Sequence, residues 1–562
     1  MLYFPFNSLG YNTREDDMKH SIFGLMAMVF ALANASFAST SKVEVSWKYQ
    51  ASSAVSFQKH STSVDLPVLK DLEKSEQYVT DPGIFKTLLA VSAGTVLESS
   101  LKEFEKCKTS SRPPRPIKPI RPTRPSTPTR PIRPPRPPRP PIKDACLKQR
   151  LLAAKHLVAK LDALELKLKE KRVVAGNLDK LFEIVDIGRK LAANMEKAKT
   201  WRPPHHRPMP RPSRPSGRGP SRPSRGGMNT KARGLNITTG GAQDIGALKK
   251  AVADGLVPAA ETFSMEGFLS EFDLPLAPSA CDKLICVTPA VLVDPVKNKL
   301  FVQIGMDSNV TADTFKRKKL NLSVVLDISG SMGATDNTKK SRIEWAKEAL
   351  RETVSKLNGS DYLSIVLFNS NHKVLLGTTL VEDKAAILKL VDSIQAQGST
   401  NLESGLKKGF ELVSARLEAD YENRVILISD AGLNTGVTDP KALLRLVTDY
   451  SAMGVGISSI GLGLNFNQDF IHNITMSKGG NYLFVNSGKE MNKYFKNFDF
   501  LVTPAAYNFK ADLSFIGSSA KFVKAYGIPE AKGEQASKSI ANVATLFFIG
   551  EGGGAILLEY DL

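Results

Sequence analysis

Cysteine, tryptophan and histidine are scarce: the 562 residues include 4 Cys, 3 Trp and 7 His. So few thiols exclude a small disulfide-stapled scaffold. Zinc gains no support either, because Cys281 and Cys286 have no second Cys or His pair at ligand spacing. An even number of cysteines in an exported chain permits bridges. Cys281 and Cys286 bracket four residues and suit a small local loop. Cys107 and Cys146 flank a Pro/Arg tract that would have to fold back to bring their Cα atoms within about 7 Å, and that bridge stays open. Catalytic signatures are missing too, with no G-x-S-x-G elbow, H-E-x-x-H helix or Walker loop in a suitable place. After residue 33 no continuous apolar run approaches the roughly 18 residues that cross a bilayer, so the mature chain is expected to lack a transmembrane segment.

What the chain has in excess is positive charge, +20 overall, and the excess is local. Residues 112–143 hold eight Arg and two Lys with no acid, and residues 202–225 hold seven Arg with no acid. These tracts also contain 22 of the 33 prolines, so the remaining, foldable parts are nearly neutral. From Arg112 to Pro141 the first tract reads as ten triplets with Pro second in each and a cation first in nine, Thr127 being the exception. In a polyproline II helix that period puts the cations on one edge, about 9 Å apart. Such a ridge serves either as an extended spacer or as a contact for an anionic polymer or lipid surface. Nucleic acid is disfavoured because no aromatic is interleaved for base stacking. His205-His206 lies in the second tract and reads as a solvated pair.

Met18-Lys19-His20, the apolar run Ile22 to Ala33, and the small residues of Ala33-Asn34-Ala35 and Ser36-Phe37-Ala38 have the layout of an export signal. The 17 residues before Met18 are expected to be a misassigned start, and the mature chain to be periplasmic or secreted. The organisation that follows is an extension and signal over 1–38, a region of unreadable function over 39–107, and a disordered polyproline linker over 108–144. A helical hairpin or coiled coil over 145–201 comes next, on an apolar stripe of Leu147, Leu151, Ala154, Val158 and Leu161, then one of Leu181, Ile184, Val185 and Leu191 with Gly188 as a gap. A second linker over 202–232, a partly β segment over 233–318, an α/β domain over 319–500 and a β-rich segment over 501–562 complete the chain.

Within 319–500, apolar runs at 321–326, 363–368, 425–428 and 455–462 alternate with helical patterns at 341–357, 383–396, 402–416 and 440–452. Strands alternating with helices predict an α/β, doubly wound, mostly parallel sheet with its ligand site beyond the carboxyl ends of the strands. There the first run delivers Asp327-Ile328-Ser329-Gly330-Ser331, which offers one carboxylate and two hydroxyls. Gly398-Ser399-Thr400-Asn401 adds a hydroxyl and Val425-Ile426-Leu427-Ile428-Ser429 delivers Asp430. An all-oxygen set suits a hard divalent ion.

Asp327, Ser329, Ser331, Thr400 and Asp430 together resemble the metal-ion-dependent adhesion site (MIDAS) of von Willebrand factor type A (VWA) domains. The likeness runs over roughly 300–500 and includes Ser429-Asp430-Ala431-Gly432-Leu433-Asn434-Thr435-Gly436, where Ala431 replaces the Gly of many members. Looser likeness to exported bacterial VWA proteins and inter-alpha-trypsin-inhibitor heavy chains extends to Gly240-Gly241-Ala242-Gln243-Asp244 and Phe263 to Leu269. The resemblance implies a Rossmann-like fold and Mg²⁺, or else Mn²⁺ or Ca²⁺. It further implies direct ligation by Ser329 and Ser331, contact mainly through water for Asp327 and Asp430, and a mobile Thr400. It implies a binding protein, not an enzyme, that captures an Asp or Glu of a protein partner. A phosphatase reading fails where Ser329 stands in place of the second acid. The alternative is an envelope scaffold that makes its main contact through the Pro/Arg tracts.

Overall fold

A computed structural model describes residues 41–106, 144–197, 236–335, 340–430 and 440–562, with short interruptions. The signal segment, both Pro/Arg tracts with His205-His206, Cys107, Cys281 and the stretch 431–439 lie outside the described residues. The N-terminal part comprises β1 (Ser41–Ala51), β2 (Phe57–Leu66), β3 (Tyr78–Val79), α1 (Gly83–Glu105), α2 (Asp144–Ala175) and α3 (Asp179–Lys197). After the second tract come β4 (Asn236–Thr239), β5 (Gly241–Ala242), α4 (Gly246–Ala253), α5 (Met265–Ser270), β6 (Cys286–Asp294) and β7 (Lys299–Asp307).

The α/β part comprises β8 (Lys319–Asp327), α6 (Arg342–Lys356), β9 (Tyr362–Phe368), β10 (His372–Leu380), α7 (Lys384–Asp392), α8 (Leu402–Ser414), β11 (Tyr421–Ser429), α9 (Pro440–Ala452), β12 (Gly456–Gly461) and β13 (Gly480–Phe484). It is followed by α10 (Phe498–Val502), β14 (Pro504–Ile516), β15 (Lys521–Tyr526), β16 (Ser539–Ile549) and β17 (Ala555–Asp561).

Seven strands in the order β10-β9-β8-β11-β12-β13-β5 form the α/β sheet. All its pairings are parallel except that of the edge strand β10. Its central strands are buried along nearly their whole length because helices cover both faces. Ile343, Ala346 and Leu350 of α6 and Ile387 of α7 pack on one face. Leu406 and Phe410 of α8 and Leu443 of α9 pack on the other. At Gly409 a Cβ would stand 2.3 Å from Val325 Cγ2, so only glycine lets α8 lie this close to β8.

A second, antiparallel sheet of ten strands gathers distant segments: β1 pairs with both β2 and β14, and β17 pairs with β7. Val43, Val45, Trp47 and Tyr49 alternate inward along β1, which puts one pleat face into the core. The regions 39–107, 233–318 and 501–562 therefore share one sheet.

The expected helical hairpin is joined by a third helix. α1 runs antiparallel to α2, with His156 Nδ1 3.1 Å from Glu103 Oε1 and the Arg150 guanidinium 5.1 Å from the centre of the Phe104 ring. On α2 the buried positions include Ala153, Ala154, Leu157, Leu161, Leu164 and Leu168. Val158, expected in the stripe, is exposed because the packed face is rotated toward α1. The gap at Gly188 receives the Leu161 side chain, 2.8 Å from where a Cβ would stand. By length and composition α1 is apolar enough to cross a membrane, unlike the expectation from continuous apolar runs, since small polar residues interrupt its sequence. In this fold its Leu89, Leu97, Leu101 and Phe104 lie in the core of the helical bundle. Cys286, at the start of β6, is disulfide-bonded.

Candidate metal centre

β8 is buried from Leu320 to Leu326 and ends on Asp327. It pairs in parallel with β11, Leu326 opposite Ile428, so that Asp327 and Ser429 emerge side by side at the carboxyl edge. The Ser429 hydroxyl donates to Asp327 Oδ2 at 2.6 Å, and the Ser329 N–H donates to Asp327 Oδ1 at 2.8 Å. A fully buried carboxylate is thereby fixed at both oxygens. Burial, then the charge of Asp430, pushes its pKa up to about 6 against the pull of those hydrogen bonds.

Beyond Asp327 the chain turns sharply, with Ile328 N–H donating to Phe368 O at 2.8 Å. Alternate side chains then converge: the hydroxyls of Ser329 and Ser331 lie 3.0 Å apart, the first buried and the second exposed. The loop carrying Thr400 is stitched to this turn by Gln397 N–H donating to Ile328 O at 2.6 Å and Gly330 N–H donating to Gly398 O at 2.9 Å. Gly398 has φ +84, a left-handed conformation suited to glycine. Thr400 is buried just before α8, where the Asn401 side chain accepts from Ser404 N–H and caps the helix.

Asp430 follows β11 directly and is 1% exposed. Its Oδ2 accepts from Arg342 Nη1 at 2.6 Å, while Oδ1 is buried without a hydrogen-bond partner among the described residues. Arg342, the first residue of α6, is 3% exposed, and its Nη1 also donates to Ser331 O at 3.4 Å. The structure thus brings the turn 327–331, the loop 397–401 and the end of β11 to one sheet edge. Sequence reading missed the roles of Ser429 and Arg342. A cation opening a helix, where the dipole disfavours it, was the signal available for Arg342.

Among the described residues no three His, Cys, Asp or Glu side chains converge on a metal-sized space. The oxygen donors gathered at this edge, the carboxylates of Asp327 and Asp430 and the hydroxyls of Ser329, Ser331 and Thr400, fit a hard divalent ion. The orphaned Asp430 Oδ1 is the buried polar atom that a cation would satisfy.

Residues 322–433, which span all five of these positions, match the family model for the von Willebrand factor type A domain. This chain carries a VWA domain. VWA domains bind a divalent metal at the MIDAS. The chain is 29% identical over 174 residues to YfbK of Escherichia coli (strain K12), a match covering 31% of this chain and 29% of that protein. It is 29% identical over 168 residues to human inter-alpha-trypsin inhibitor heavy chain H3, covering 28% and 18% respectively. It thus spans less than a third of the length of either relative. Among solved structures, proximal thread matrix protein 1 from the mussel byssus, with a zinc-occupied MIDAS motif, is 21% identical with a TM-score of 0.28. That match covers 33% of this chain and 48% of the byssus protein.

Proposed function

We propose that this chain is an exported protein-binding module whose VWA domain holds Mg²⁺ at Asp327, Ser329, Ser331, Thr400 and Asp430 and captures an acidic side chain of a partner protein. The observation that carries this reading is the buried Asp430 Oδ1, without a hydrogen-bond partner among the described residues, at the sheet edge that also carries the hydroxyls of Ser329, Ser331 and Thr400. When bound, the ion supplies an electrophilic position for a carboxylate oxygen. Ser329 and Ser331 contribute neutral donors, so the protein adds little negative charge in direct contact. Asp327, held by the Ser329 N–H and the Ser429 hydroxyl, fixes the floor of the site without swinging. Thr400 supplies a third hydroxyl from a loop anchored to the same turn. Binding rather than turnover is the chemistry this reading assigns to these residues.

Capture of envelope or extracellular proteins on the immobilised full chain, in Mg²⁺ and in EDTA, tests the reading. Retention in Mg²⁺ that is lost both in EDTA and in Asp327→Ala with intact circular dichroism supports it. Equal retention in EDTA contradicts it.

A second reading, contact of the Pro/Arg tracts with an anionic surface, has one observation in its favour. The end of α1 and the beginning of α2, which flank the first tract, lie side by side, as the Arg150–Phe104 contact shows. A spacer needs separated anchor points, and these are neighbours. Contact through the tracts would weaken with salt and ignore EDTA.

A further inference from the structure

Arg342 is an anomaly in its helix. It opens α6, where the helix dipole opposes a cation, and the N-terminus is already served by the Ser341–Glu344 capping box. Its guanidinium is nevertheless buried, pairs with Asp430 Oδ2 at 2.6 Å and reaches Ser331 O at 3.4 Å. A buried charge of this kind is retained only with a buried counter-charge, and Asp430 is that counter-charge. Among the described residues, those meeting at the turn thus hold two carboxylates, Asp327 and Asp430, and one fixed cation.

We propose that Arg342 is a positioning residue that sets the charge of the metal centre: it neutralises one of the two carboxylates, so that the site loaded with a divalent ion keeps one net positive charge. An arriving carboxylate then brings the site to neutrality. Without the guanidinium the loaded site would be neutral before the partner arrives, and capture would lose its electrostatic drive. Arg342 therefore trades metal affinity for affinity toward an acid. It also holds one oxygen of Asp430 aside, which leaves Oδ1 as the free donor. This inference rests on the metal-dependent capture proposed above.

The test uses the chelator-stripped full chain, Mn²⁺ followed by water-proton relaxation, and then acetate titrated into the loaded protein to displace bound water. Arg342→Gln is expected to bind Mn²⁺ about tenfold more tightly and acetate about tenfold more weakly, because a like charge next to the ion is gone. Arg342→Lys, which keeps the charge, is expected to stay within about twofold of wild type in both. A merely structural role would weaken both affinities together in Arg342→Gln. That result, or unchanged affinities, overturns the assignment while leaving metal capture standing. A wild-type chain that takes up no Mn²⁺ overturns both. Should Arg342→Gln lose its far-ultraviolet dichroism, Arg342→Lys decides: acetate affinity kept supports the charge role, and a tenfold loss overturns it.

Discussion

Ser429 donates its hydroxyl to Asp327 Oδ2 at 2.6 Å across 102 residues of sequence. The contact exists because β8 and β11 are parallel neighbours in register, so that the residues ending the two strands share one edge. Replacing Ser429 by Ala strands an oxygen of a buried carboxylate. Ser429→Ala is expected to cost about 1–3 kcal/mol in urea unfolding and to weaken Mn²⁺ binding about tenfold or more. Unchanged metal affinity would show that the orientation of Asp327 does not depend on this bond.

The opposite end of β11 is anchored as firmly. Arg424 is fully buried, with Nη2 donating to Glu422 Oε1 at 3.0 Å and Nη1 to Gly479 O at 2.7 Å. Tyr507 of the antiparallel sheet donates to the same Glu422 oxygen at 3.3 Å, which ties the two sheets together. Burial pushes the Glu422 pKa up and Arg424 pulls it back. Arg424→Met is expected to cost about 3–5 kcal/mol by leaving Glu422 uncompensated. Adding Glu422→Gln should recover part of that loss. Equal stability of the single and double variants in denaturant melts would contradict the coupling.

Packing sets the position of α8 and hence of the Thr400 loop. Gly409→Ala would press a methyl onto Val325. About 1–3 kcal/mol of destabilisation is expected, read from the midpoint of unfolding. A variant as stable as wild type would mean that the helix has slack the structure does not show.

Alkaline titration checks the second sheet. The Tyr526 hydroxyl donates to Glu559 Oε2 at 3.1 Å, and burial, then the Glu559 charge, pushes its pKa up to about 12. The folded state therefore keeps a proton that the unfolded state releases near 10, and stability falls as pH rises from about 10 to 12. Tyr526→Phe should flatten that fall in thermal melts. Parallel slopes for the two proteins would contradict the pairing of β15 with β17.

The α/β sheet was legible because the runs 321–326, 363–368, 425–428 and 455–462 are apolar on both faces, a pattern fixed by two covering helix layers. β10 escaped because its residues are mostly exposed, and β5 because it is two residues long. The antiparallel sheet was hidden for another reason. β1 pairs with β14, Lys42 opposite Ile516, and no local pattern encodes a partner so far along the chain. At the site, Asp327, Ser329, Ser331, Thr400 and Asp430 were singled out by their resemblance to the adhesion-site motif, since an Asp and two Ser after a strand also make ordinary turns. Ser429 and Arg342 were not, since a serine before an acid and an arginine opening a helix acquire meaning only once strand register and helix position place them.

Titration of Mg²⁺ into the chelator-stripped full chain by calorimetry addresses the central claim most directly, with wild type compared with the Ser329→Ala, Ser331→Ala double variant. The account expects one ion bound per wild-type chain and none by the double variant at the same concentrations, both proteins keeping the same dichroism. Absence of binding to wild type, or equal binding by the two proteins, would contradict it.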